Sequence, residues 1–151
     1  MKQQKFGASQ SGFTLVELVV VIVILGILAA TALPRFINLT KEARTASVNG
    51  IAGGLRSSVG VVQARFFATG TNTTPVAMID GTNVAVSTTT GIPTGTAAGI
   101  GNALTSTDGY TADYTTATAV TFRPTSGGSA TCQAAYDGTT GIVTVTTTGC
   151  N

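Results

Sequence analysis

The hydrophobic pattern of this chain falls into three stretches. Residues 15–33 are apolar at nearly every position, with Glu17 and Thr31 as the exceptions. Roughly 19 such residues come close to the roughly 20 needed to cross the hydrocarbon core of a bilayer. Further on, Val48, Ala52, Leu55, Val59, Val62 and Phe66 recur at spacings of three or four. That is one face of an amphipathic helix, and Phe36, Leu39, Ala43 and Ala46 bridge it to the apolar run. The pattern predicts one helix from about residue 14 to residue 68, roughly 80 Å long at a rise of 1.5 Å per residue. Its first half has no partner surface within the chain, so it must face lipid or other copies. Gly26 and Pro34 are expected to interrupt this helix. Proline lacks the N–H that would bond to residue 30, and its ring crowds that carbonyl.

From Thr69 onward the helical period disappears. Residues 76–79 and 84–86 read as short edge strands. Residues 87–117 hold many Thr, Gly and Ala and few large apolar groups. They read as a surface loop. Three clearer strands follow, at 118–123, 130–136 and 142–148. Val120 and Phe122 share a face, as do Cys132, Ala134 and Tyr136. Arg123-Pro124 through Gly127-Gly128 marks one turn and Asp137-Gly138 through Gly141 another. The expected fold class is α+β. A small antiparallel sheet of three or four strands lays its apolar face over Val48, Leu55, Val59, Val62 and Phe66. A few strands alone bury too little surface to be stable without that helix stripe.

Composition narrows the function. Charged residues are 9% and hydrophobic ones 43%, the reverse of a disordered chain. The net charge of +2 comes from Lys2 and Lys5. Without residues 1–12, six basic side chains balance six acidic ones. A near-neutral protein has no electrostatic footprint for nucleic acid, and low net charge makes self-association less repulsive. There is no histidine, so a Ser or Cys nucleophile lacks its usual base. No catalytic constellation, cofactor motif or phosphate loop is present, and no enzyme is expected. Asp108 and Asp113 have a spacing suited to Ca²⁺ but lack the further oxygen ligands of a full loop. No metal is expected. Asn38-Leu39-Thr40 and Asn72-Thr73-Thr74 match the glycosylation triplet without implying use. Tyr110 and Tyr114 are candidates for surface binding and equally for packing. Two cysteines without histidine make a poor zinc set. In an exported domain the favoured reading of Cys132 and Cys150 is a disulfide, which closes a loop worth about 3 kcal/mol in the chain-entropy picture.

Glu17 carries the most information. A charge at the centre of a membrane helix costs about 2.5–3.5 kcal/mol on insertion scales, so such a residue is a functional candidate by default. Three readings of the N-terminus compete. The first is a secretory signal cut after Ala30-Thr31-Ala32, which would release a binding module. The second is a plain anchor. The third is a leader cut before the apolar run, so that the run is retained. Glu17 serves no purpose in an ordinary signal, and the helical pattern continues past Ala32, so the third is favoured. A cut after Gly12 would place a new amine on Phe13, about one helical turn from Glu17.

Gly12-Phe13-Thr14-Leu15-Val16-Glu17 resembles the signature of the type IV pilins. Pro34-Arg35-Phe36-Ile37-Asn38-Leu39 and the ending Thr146-Thr147-Thr148-Gly149-Cys150 resemble the mannose-sensitive haemagglutinin (MSHA) pilins. The resemblance implies a leader at 1–12, a membrane-spanning and filament-core helix at 13–35, and an extracellular domain at 36–151. Within that domain the helix would cover 36–68 and the loop and sheet 69–151. It implies cleavage between Gly12 and Phe13 by a prepilin peptidase, with N-methylation of Phe13. The leader would stay cytoplasmic, the chain would wait in the inner membrane, and an assembly machinery would extrude it. Glu17 would neutralise the Phe13 amine of a neighbouring copy and so set the register of a homopolymer. The stretch 26–34 would lose regular structure when copies pack. The filament would serve attachment to a host or abiotic surface. The same N-terminal motif also occurs in type II secretion pseudopilins, which act as a periplasmic piston.

Overall fold

The computed structural model describes residues 12–151, and of residues 33–38 the backbone alone. The leader expected at 1–12, with Lys2 and Lys5, thus lies outside the described residues except for Gly12. The chain divides into two compact units, one ending at Asn38 and the other covering Leu39–Asn151. One helix, α1 (Leu15–Thr69, 55 residues), contributes to both.

In the first unit, Leu15–Ala32 is 18 residues long and apolar enough to cross a membrane, and none of it is buried within the chain. Its many Val and Ile residues are mediocre helix formers in water. In lipid the helix wins regardless, because it satisfies every backbone polar group internally. The helix runs through Gly26 and Pro34 unbroken, so the interruption expected there is not a property of the chain alone. Glycine costs about 1 kcal/mol in a helix interior, and proline removes one rung of the ladder while its neighbours persist.

In the second unit, the rest of α1 ends at Thr69, whose hydroxyl donates to the Phe66 carbonyl. Gly70 follows at φ +63°, the left-handed conformation that closes helices and that glycine adopts without strain. Two short strands, β1 (Val76–Ala77) and β2 (Asn83–Val84), pair with each other. A separate antiparallel sheet runs β3 (Tyr110–Asp113), β4 (Val120–Pro124), β5 (Gln133–Tyr136) and β6 (Val143–Thr146), in that spatial order. Alternation sets its inner face: Val120 and Phe122 are fully buried, and their register partners include Tyr136 and Ala134. That face meets Val48, Ile51, Ala52, Leu55 and Val59 of α1 in one core. Fully burying a side chain such as Leu55 is worth about 1.5–3 kcal/mol.

Two expectations need correction. Val62 and Phe66 do not lie under the sheet. They form a second cluster with Val76, Val84 and Val86, so β1 and β2 roof the end of the helix instead of extending the sheet. The segment 87–117 is not simply a surface loop. Ile92, Pro93 and Ile100 are buried, Ala97–Gly101 forms one π-helical turn, and Tyr110–Asp113 is an edge strand of the sheet. Small residues allow this. A Cβ on Gly95 or Gly138 would collide with the backbone at Ala117. Without one, the Gly138 amide donates to the Ala117 carbonyl at 3.0 Å. The Tyr136 hydroxyl, with its ring buried, donates to the Pro93 carbonyl at 2.6 Å and pins the same segment.

Candidate functional site

Thr14 precedes the first residue of α1 and caps it. The Glu17 amide donates to Thr14 Oγ1 at 3.2 Å. The Thr14 amide and hydroxyl both donate to Glu17 Oε2, each at 2.8 Å. This is a reciprocal capping box, with a hydroxyl residue and an acid three positions apart. The carboxylate also sits in the first turn, where the helix dipole favours negative charge. Sequence reasoning treated Glu17 as a lone charge and passed over Thr14. The signal was present, since Thr-x-x-Glu ahead of an apolar run is the capping-box pattern.

Oε2 is therefore engaged within the chain, whereas Oε1 makes no hydrogen bond among the described residues. Phe13 stands immediately before the cap, 90% exposed. The Phe13 nitrogen is a peptide amide, and the structure places Thr14, not Phe13, against Glu17. The Glu17 carboxylate thus has one oxygen held by Thr14 and one left open to a further donor. Gly12 and Gly26 have open space where a side chain would begin. Pro34 falls within the helix, among the residues described by backbone alone.

The two cysteines do form a disulfide, Cys132–Cys150, with 4.8 Å between their Cα atoms and both residues fully buried. The Gly149 amide donates to the Thr131 carbonyl beside it, so the tail is tied covalently and by backbone.

The remaining candidates are structural. The Tyr110 hydroxyl donates to the Ser47 carbonyl at 2.8 Å, joining β3 to α1. Tyr114 makes an edge-on contact with Phe122, ring centres 6.0 Å apart. Asp80, Asp113 and Asp137 each take a backbone N–H from the residue two positions on, namely Thr82, Thr115 and Thr139. Those donors hold all three carboxyls below the usual carboxylate range. Asp113 is thus occupied by its own turn. Among the described residues no group of three His, Cys, Asp or Glu side chains is gathered for a metal ion.

Residues 7–33 match the family described as prokaryotic N-terminal methylation motif. The chain is 52% identical over 56 residues to the type IV narrow pilus major component PilA5 of Thermus thermophilus, covering 36% of this chain and 48% of that protein. It is 42% identical over 67 residues to a fimbrial protein of Moraxella nonliquefaciens (43% and 44% covered). It is 48% identical over 50 residues to the type IV major pilin protein PilE1 of Neisseria gonorrhoeae (33% and 30% covered). The chain thus spans under half the length of these curated relatives. No solved structure matches it. Over about a third to two fifths of its length, the chain is similar to type IV pilins and fimbrial proteins.

Proposed function

We propose that this chain is the structural subunit of a type IV pilus. One observation supports the reading most directly: a capped carboxylate with an open oxygen, at the head of a membrane-length apolar stretch in which no residue is buried. A prepilin peptidase cuts between Gly12 and Phe13 and methylates the new amine. The prepilin waits in the inner membrane with its leader, 1–12, in the cytoplasm. The inner-membrane assembly machinery then moves 13–35 from lipid into a bundle of identical helices, and 36–151 is displayed outside the cell. Apolar burial, at roughly 25 cal/mol per Å², supplies most of the association energy. The Phe13 ammonium of one copy meets Glu17 of its neighbour. An unpaired charge in an apolar bundle is costly, so this pairing makes one axial stagger favourable and the others unfavourable. The stretch 26–34, weakened by Gly26 and Pro34, gives up regular helix in the filament and makes it extensible.

The Pro34–Leu39 segment and the cysteine-bearing tail favour the mannose-sensitive haemagglutinin (MSHA) group, and with it attachment to host or abiotic surfaces. Mass spectrometry of the mature chain tests the core of the reading. An N-terminal methyl-Phe13 is expected, on surface filaments visible by electron microscopy. A mature chain that begins at Leu33 would overturn it.

A further inference from the structure

Arg44 is a half-buried guanidinium on α1. It lies against the turn after β4, so close to Gly127 that a Cβ there would collide with its Nε and Cζ. Among the described residues it makes no hydrogen bond and no ion pair. A guanidinium offers five N–H donors in a planar fork and is always charged. Held partly away from water without an acceptor, it favours an anion with paired oxygens.

The guanidinium borders a concavity of about 440 Å³. The wall combines apolar Leu39, Ala43 and Pro124 with the hydroxyls of Thr125 and Ser126, and among its described residues Arg44 is the one charge. Glu42 is exposed and is not part of it. Leu39 is itself 59% exposed. A cation and hydroxyls set among oily side chains match an amphiphile, with a phosphate at one end and hydrocarbon at the other. Leu39 follows the membrane-length window by only seven residues. Even fully extended, that tether spans no more than about 25 Å. Leu39, on the wall of the concavity, therefore stays within that distance of the end of the apolar stretch.

We propose that Arg44 and this concavity bind the phosphate of an anionic phospholipid headgroup. The proposal rests on the membrane-anchored reading given above. Before assembly, the bound lipid would hold the domain at the bilayer, and releasing it would be part of leaving the membrane.

The test uses the full-length chain in nanodiscs of equal phosphatidylglycerol and phosphatidylcholine, released into native mass spectrometry. Wild type should keep one phosphatidylglycerol in preference to phosphatidylcholine. Arg44→Gln should lower that retention by about tenfold, with the loss of a charge-assisted, forked contact. Arg44→Lys, which keeps the charge without the fork, should fall between them. An intact disulfide and unchanged circular dichroism show that the variants are folded. Equal retention by Arg44→Gln and wild type overturns the proposal, as does wild type that keeps both lipids alike. If inorganic phosphate binds wild type in lipid-free detergent as strongly as the lipid does, the site belongs to free phosphate and the lipid assignment fails. A wild type that never enters the nanodisc defeats the membrane reading as well. Entry without lipid retention defeats only this proposal.

Discussion

Along the first half of α1, the large side chains from Leu18 to Leu28 are 43–64% exposed, on every side of the helix. Along the second half, Val48, Leu55 and Val62 are at most 1% exposed, and they occupy a single stripe. The two stretches belong to one helix and have comparable oiliness at their buried or buriable positions. They differ in period. A stripe at three- and four-residue spacing has one face to satisfy, and one small sheet with its hairpin satisfies it. A helix that is apolar all round needs partners all round, which a domain of this size does not supply. One element is thus complete in one half and unfinished in the other, and the unfinished half points to lipid or to other copies.

The largest expected effect tests the unfinished half. Glu17→Ala should leave cleavage after Gly12 largely intact but lower filament yield by at least about tenfold, the factor that ~1.4 kcal/mol of register preference represents. Wild-type numbers of filaments under the electron microscope would remove the register argument. Next comes a matched pair. Leu55→Ala should destabilise the second unit by about 2–5 kcal/mol. Leu25→Ala, which empties no core, should leave it within about 0.5 kcal/mol of wild type. Urea unfolding of the detergent-solubilised chain reads both, and equal losses would break the comparison. Cys150→Ser should then cost about 3 kcal/mol in the same assay, and should do so only for the second unit.

The smallest effect depends on pH. Burial, with a smaller contribution from the Asp137 charge, pushes the Tyr136 phenol above its ordinary value near 10, and burial also raises Tyr114. A raised phenol means that the unfolded chain ionises first. The stability from the neutral form is full below pH 10 and is lost as pH climbs toward the folded value. Tyr136→Phe should lower stability at neutral pH, since the Pro93 carbonyl loses its donor, yet flatten the alkaline decline. An unchanged slope between pH 10 and 11.5 would contradict the assignment. At the acid end the sign reverses. The depressed carboxyls of Asp80, Asp113 and Asp137 favour folding above the ordinary Asp value, and that contribution is lost as pH falls through their folded values.

Much of this was legible in the sequence because it was written in large side chains. The helix stripe from Val48 onward, the strands centred on Phe122, Ala134 and Val145, and the turns at Gly127-Gly128 and Asp137-Gly138 all appear where periodicity and turn chemistry place them. What escaped was written in small ones. β3 carries Tyr110, Thr111, Ala112 and Asp113, a poor hydrophobic signal, and it is a strand because β4 offers it a ladder. The burial around Gly95 and Gly99 comes from backbone packed on backbone, which no apolar count detects. At the candidate site, Gly12, Phe13 and Glu17 stood out by charge and motif. Thr14 did not, because its role is a set of three hydrogen bonds and not an energetic anomaly.

The bridge from Cys132 to Cys150 also encloses β5, β6 and the exposed Thr139 and Thr140 between them. A protease that nicked that hairpin tip would leave both halves joined, through sulfur at one end and through the ladder along their length. The exposed tip at Thr139 and Thr140 can thus be clipped by a hostile environment without shedding the edge of the sheet, while Gly138 stays held against Ala117.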